Sequence, residues 1–188
     1  MAIKTAITGG IGSGKSYVCR MLEQHGISVY DCDAAAKRLM RESAELKEQL
    51  IRLVGDGVYS PDGILQKRVL AEFLLASEEN KFAVNDVVHP AVAADFIASG
   101  KEWLESAILF ESGFYRRVEF GRIVCVVAPR EVRLSRIVQR DSITTERAAQ
   151  WIDAQMPQEE MSHRSDFTIV NDGTLDINEQ ICKIINNK

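Results

Sequence analysis

Residues 3–8, Ile-Lys-Thr-Ala-Ile-Thr, are mostly apolar and β-prone and predict a buried strand. Val18, Met21 and Leu22 then recur at helical spacing and predict a helix over 17–24. His25-Gly26 closes it, with Gly26 placed as a glycine just past a helix end. Residues 27–30 read as a short second strand that stops at Asp31-Cys32-Asp33. Helical patterns follow over 34–41, 44–54, 65–75, 78–88 and 90–99, interrupted by a loop at 55–63 that holds Gly55, Gly57, Pro61 and Gly63. His89-Pro90 is expected to end one helix and start the next, because the residue before a proline is pushed out of the helical region.

Strand character returns over 105–110, which sets Glu111 at a strand's carboxyl end, and again in the β-branched run 122–128. That run reads as a central parallel strand buried on both faces. A helix is expected over 130–140, and a second from Thr144 or Thr145 to Gln155, ended by Met156-Pro157. A last strand is expected over 167–170, then a turn at Asn171-Asp172-Gly173 and an amphipathic helix over 175–186. Strands that alternate with helices imply an α/β fold, a parallel sheet of about five strands flanked by helices. The expected organisation is one domain: a core of about 1–32, 101–129 and 165–188, a helical insert of about 33–100, and a helical lid of about 130–160.

The chain has 188 residues, a length that fits one domain with a core stable unaided. Its net charge of −4 supplies no basic field for a polyanion, so general nucleic-acid binding is not expected and an anionic ligand must be held by local positive groups. Cys19, Cys32, Cys125 and Cys182 form no C-x-x-C pair, so neither zinc nor a disulfide framework is expected. Cys19 and Cys125, in apolar segments, read as core residues and the setting as reduced and cytoplasmic. The sequence shows no signal peptide, no membrane span and no evident obligate protein partner.

Gly9-Gly10-Ile11-Gly12-Ser13-Gly14-Lys15-Ser16 meets G-x-x-x-x-G-K-[ST] at every fixed position, between a strand and a helix. Glycines let such a loop curl with its N–H groups inward, and the helix start adds unpaired N–H groups and the positive end of its dipole. Lys15 would reach the β- and γ-phosphates of a nucleotide, and the Ser16 hydroxyl would sit on Mg²⁺. Asp31 and Asp33 fall at the end of the second strand, where open α/β sheets bind ligands. Either could serve chemistry, and one could simply cap the next helix. His89 reads as a capping or packing residue or a ligand contact, and Glu111 as a loop carboxylate or a site residue. Arg133, Arg136 and Arg140 share one face of their helix, apart from Leu134, Ile137 and Val138. Such a stripe is either a solvated surface or, beside an anion site, a clamp on transferring phosphate.

The loop alone does not separate kinases from GTPases or motors. No D-x-x-G occurs, and Asn80-Lys81 lacks the Asp two residues on, which argues against a GTPase. A motor should show an apolar strand ending in Asp, whereas the nearest such run here ends in Glu111. Small size, a helical insert and an arginine-bearing lid favour a small-molecule kinase. A nucleoside-monophosphate or shikimate-type kinase and a nucleotide-binding regulatory module are the rival readings.

Thr8 to Ser16, Asp31-Cys32-Asp33, His89-Pro90, Leu109-Phe110-Glu111-Ser112-Gly113, Arg136, Gln139-Arg140-Asp141, Gln155 and Asn171-x-Gly173 follow in order along nearly the whole chain. The combination resembles the dephospho-coenzyme A kinases. The resemblance implies a P-loop kinase fold with a helical substrate-binding insert and a helical lid. It also implies transfer of phosphate from ATP, with Mg²⁺, to the ribose 3′-hydroxyl of dephospho-CoA, the last step of coenzyme A synthesis. By the same resemblance Asp33 is the general base, with Asp31 next in line, and Lys15 and Arg140 are catalytic. Gly10, Ile11, Gly12, Ser13, Gly14, Lys15, Ser16 and Tyr17 would lie on the ATP phosphates, and Asn171 near the base. Thr8, Asp33, His89, Glu111 and Arg140 would contact the acceptor. The chain departs from the family at Tyr17, where Thr is usual, at Ala107, where Pro is usual, and at Met161, where Lys is common. No phosphate-contact role is carried onto Met161.

Overall fold

The computed structural model describes residues 3–187. They form two compact units, one from the residues up to Tyr30 and from Lys101 onward, the other from Asp31–Gly100.

The first unit is built on a five-stranded sheet. Its strands are β1 (Thr5–Thr8), β2 (Val29–Asp31), β3 (Trp103–Glu105), β4 (Arg122–Val127) and β5 (Phe167–Val170), in the order β2-β3-β1-β4-β5. β1 pairs in parallel with β3 and β4, and β4 with β5. The central strands are buried on both faces: Thr5 to Thr8 and Val124 to Val126 are all buried. Helices α1 (Lys15–Gln24) and α9 (Ile177–Asn186) belong to the same core, with Val18, Leu22, Ile177, Ile181 and Ile184 clustered with Ile7, Val124, Val126 and Ile169. Helices α6 (Arg130–Asp141) and α7 (Thr145–Asp153) form a hairpin over a second cluster of Leu134, Ile137, Ala148 and Ile152. A short helix, α8 (Gln158–His163), packs on β4.

The second unit is helical: α2 (Cys32–Glu42), α3 (Ala44–Val54), a 3-10 turn at Asp56–Val58, α4 (Lys67–Ala76) and α5 (Glu78–Ala98). α2, α3 and α4 each pack on α5, and Arg38 of α2 pairs with Asp95 of α5 at 2.6 Å. The expected break at His89-Pro90 does not occur. α5 runs through Pro90 as one helix of 21 residues. Val84, Val88, Val92 and Phe96 recur every fourth residue and are all buried, so one continuous, slowly winding stripe spans the proline. Burying that stripe outweighs a cost of about 3 kcal/mol for an interior proline. Pro90 itself is exposed, on the side where water can replace the hydrogen bond it omits.

The third strand is also displaced. It covers Trp103–Glu105 rather than 105–110, so Glu105, not Glu111, stands at its carboxyl end. Ile7 opposes Glu105 and its carbonyl accepts from Ser106 N–H. One residue beyond Thr8 the partner chain curls away at Gly9 and the ladder has nothing to continue on. Residues 107–112 close in turns instead, Ser112 N–H donating to Ile108 and Gly113 N–H to Phe110, with Leu109 and Phe110 still buried. α8 was not expected at all. It buries only Met161, too little to leave a repeating apolar pattern. No helix among the described residues is long and apolar enough to cross a membrane.

Candidate active site

The carboxyl ends of β3, β1, β4 and β5 bring Glu105, the loop after Thr8, Val127 and Asn171 to one edge of the sheet. The loop's shape demands its glycines. Gly9 and Gly14 have φ of 146° and 94°, and a Cβ would run into the Val126 carbonyl at the first and the Asn171 amide nitrogen at the second. Gly14 is also the N-cap of α1, without a side-chain cap and with no acidic residue in the first turn. The helix start therefore offers its N–H groups and dipole to an anion. Lys15 Nζ donates to the Gly9 carbonyl at 2.7 Å and stands 3.9 Å from Glu105 Oε1. The Thr8 and Ser13 hydroxyls are buried with no hydrogen-bond partner among the described residues. Curled backbone, helix start, lysine and spare hydroxyl donors together fit a nucleotide's phosphates.

Two of the three stripe arginines are not a solvated surface: both side chains reach the phosphate loop. Arg133 is 5% exposed and its Nε donates to the Ile11 carbonyl at 2.9 Å. Burial pulls its guanidinium below the ordinary arginine value, and Arg130's positive charge adds to that. Arg136 donates to the carbonyls of Gly12 (3.3 Å), Ser13 (3.2 Å) and Asn171 (3.1 Å) and to Asn171 Oδ1 (3.2 Å). Asn171 Nδ2 donates in turn to the Ser13 carbonyl at 2.9 Å. The Asn171 side chain is thus buried and hydrogen-bonded to the loop and Arg136. Gln155 Oε1 accepts from Ile11 N–H at 2.7 Å, so that N–H already has a side-chain partner.

Arg140, the third member, is exposed and pairs with Asp141, 2.7 Å from Nη2 to Oδ2. That hydrogen bond raises the Arg140 value and holds the Asp141 carboxyl below the usual range. Ser16 and Tyr17 are exposed in the first turn of α1, and the Arg20 guanidinium lies 5.8 Å from the Tyr17 ring centre. Glu111 lies in the turn after β3. Its Oε1 accepts from Met156 N–H at 3.3 Å, and its Oε2 is buried without a hydrogen-bond partner among the described residues.

In the helical unit Asp31 and Asp33 have separate roles. Asp31 Oδ1 accepts from Ala34 N–H at 2.9 Å and is the N-cap of α2. Asp33, in the first turn, is exposed and makes no hydrogen bond or ion pair among the described residues. His89 is half-buried in the middle of α5, not at a helix start. The residue that sequence reasoning missed outright is Glu105. The misplaced strand concealed it, although a carboxylate closing an apolar strand is itself a recognisable sign. Arg133 and Gln155 were seen, but not as loop supports.

The dephospho-CoA kinase family model matches residues 3–176. A dephospho-CoA kinase of Bacteroides fragilis is 43% identical, the match covering 98% of this chain and 92% of that one. Among solved structures, a Thermus thermophilus protein superposes with a TM-score of 0.81 at 35% identity, covering 98% of this chain and 96% of that one. A Campylobacter jejuni dephospho-CoA kinase shares the fold at a TM-score of 0.66 and 24% identity, with 97% and 94% covered. By its phosphate loop, its sheet and these matches, the chain belongs to the dephospho-CoA kinase family.

Proposed function

We propose that the protein transfers the γ-phosphoryl group of ATP to the ribose 3′-hydroxyl of dephospho-CoA, giving CoA and ADP, the last step of CoA biosynthesis. The observation that carries this reading is the supported phosphate loop, residues 9–16, in a chain whose family match runs over residues 3–176. The loop and the start of α1 hold the phosphates, and Lys15, already within reach of Gly9 and Glu105, follows the charge that develops on the γ-phosphate. Ser16 and Glu105 would hold Mg²⁺, directly or through its waters, and the ion supplies neutralisation of phosphate charge. Few protein ligands are needed, because Mg²⁺ keeps several waters and takes its other ligands from the substrate. Asp33 accepts the proton of the attacking hydroxyl; its support is its exposed, uncommitted carboxylate beside an Asp31 that is committed to capping. Arg140, on the exposed end of α6, is the arginine available to the transferring group. Residues 31–100 supply the acceptor-binding insert and α6 with α7 the lid. All four cysteines are thiols rather than disulfides, which fits a reducing cytoplasm.

The test is turnover of ATP with Mg²⁺ and dephospho-CoA, AMP, CMP or shikimate, read as ADP release and product mass. CoA formed from dephospho-CoA alone is the expected result. Turnover of another acceptor instead would keep the nucleotide site and reject the substrate.

A further inference from the structure

Ile11 occupies a variable position of the phosphate-loop motif and has no chemistry of its own, yet every part of it is held. Its N–H donates to Gln155 Oε1 at 2.7 Å, its carbonyl accepts from Arg133 Nε at 2.9 Å, and its side chain packs on Leu134, Ile137, Ala148 and Ile152. All of these groups come from α6, α7 and the two residues after α7. The loop is moulded to this hairpin at close range. A Cβ at Gly10 would meet the Arg133 guanidinium, and one at Gly12 would come within 2.8 Å of the Arg133 carbonyl.

Arg133 is the more telling partner. A guanidinium 5% exposed, with no ion-pair partner among the described residues, is costly to bury. A methionine of similar volume would pack there at lower cost. What the arginine adds is a fixed donor aimed at one backbone carbonyl. Gln155 fixes the other side of the same residue. With both held, the turn that closes from Ser13 N–H to the Gly10 carbonyl is set, and with it the direction of the loop's remaining N–H groups.

We propose that Arg133 and Gln155 are positioning residues that act together through Ile11 to set the phosphate loop in its nucleotide-binding shape. This deepens the nucleotide reading above and rests on it. Neither side chain has to touch the nucleotide. The effect should therefore fall on ATP and ADP and spare the acceptor, and the two residues should not act independently.

The experiment compares the full chain with Arg133→Met, Gln155→Leu and the double variant. It measures the ADP dissociation constant by calorimetry, KM for ATP and for dephospho-CoA, and Tm. Each single change should weaken ADP about tenfold, the effect of one well-made hydrogen bond. It should raise the ATP KM in step and leave the dephospho-CoA KM within about twofold. The double variant should be little worse than the poorer single, since the second partner has nothing left to hold. A merely structural loss would lower Tm and the active fraction and leave both KM values in place, which overturns the proposal. So do effects on ADP that multiply to about a hundredfold in the double variant, the mark of two independent contacts. If Arg133→Met does not fold, Gln155→Leu decides alone: wild-type ADP affinity in it overturns the idea. Failure of the unaltered chain to bind ADP would reject the nucleotide site itself, a different outcome.

Discussion

Lys15 Nζ lies 3.9 Å from Glu105 Oε1, and both side chains are largely buried, 11% and 17% exposed. The pair joins the phosphate loop to the end of the neighbouring strand. It arises because β1 and β3 run in parallel register, Ile7 against Glu105, and the loop then carries Lys15 back over that edge. On the nucleotide reading proposed above, a lysine so placed would be near the phosphates before any substrate arrives, and the carboxylate beside it would orient the waters of a divalent ion.

Glu105→Gln removes the charge and keeps the shape. The Mg²⁺ concentration for half-maximal turnover should rise about 10–100-fold, the usual cost of losing a group that orients a metal's ligands. The gain in ADP affinity on adding Mg²⁺, measured by calorimetry, should shrink in parallel while Tm moves by only a few degrees. An unchanged response to Mg²⁺ in both measurements would remove Glu105 from the ion's surroundings.

The two aspartates after β2 should respond oppositely to the same chemical change. Asparagine caps a helix about as well as aspartate, so Asp31→Asn, which keeps the acceptor used by Ala34 N–H, should leave stability and kcat close to those of the unaltered chain. Asp33→Asn removes the proposed base and should lower kcat by ~10²–10⁴ while ADP affinity holds. Full kcat in Asp33→Asn would make the assignment wrong and turn attention to Asp31.

Much of this was legible in the sequence, and the failures share a cause. β5 was placed correctly, and α1, β4 and α9 to within a residue or two at each end, because each has strong local periodicity or β-branching. The phosphate loop was legible because its function fixes residues at fixed spacing. Pro90 and β3 were misread because tertiary pairing overrode local preference: a stripe on α5 carried the helix through a proline, and the departure of β1 at Gly9 stopped β3 early. The roles of Arg133, Arg136 and Asn171 were illegible for a related reason. Each has a target among the phosphate-loop carbonyls more than 100 positions away, Ile11 for Arg133, Gly12 for Arg136 and Ser13 for Asn171, and a sequence does not display which carbonyls need a donor.

Arg140 is the stripe member that stays uncommitted to the loop. Its exposed ion pair with Asp141 is worth little, since pairs of this kind contribute at most about 1 kcal/mol. Arg140→Ala should therefore leave Tm nearly unchanged. If the side chain meets the transferring phosphoryl group, kcat should drop by ~10³–10⁵ with a much smaller loss of ADP affinity. Asp141→Asn, which loosens the pair and spares the arginine, should keep kcat within severalfold. Equal and small effects of both changes would show that Arg140 has no part in the transfer step.

Cys125 gives the fold a pH dependence that activity assays alone would misattribute. It is 0% exposed on β4, in register with Thr8 beside the phosphate loop. Burial pushes its thiol up from 9.0 to about 11, with the positive charges of Lys15 and Arg133 pulling partly back. Between those two values the unfolded chain gives up the proton and the folded chain keeps it. The stabilisation is therefore complete below about pH 9 and is lost as the pH rises through about 11, to the extent of roughly 3 kcal/mol at most. Denaturant unfolding at pH 8 and at pH 10.5 should show the unaltered chain losing clearly more stability than Cys125→Ala over the same interval. In the native chain at pH 8, a thiol reagent should reach the half-buried Cys19 and Cys182 well before Cys125. If the stability of Cys125→Ala falls just as steeply, the alkaline loss belongs to other groups and the thiol is a packing residue alone.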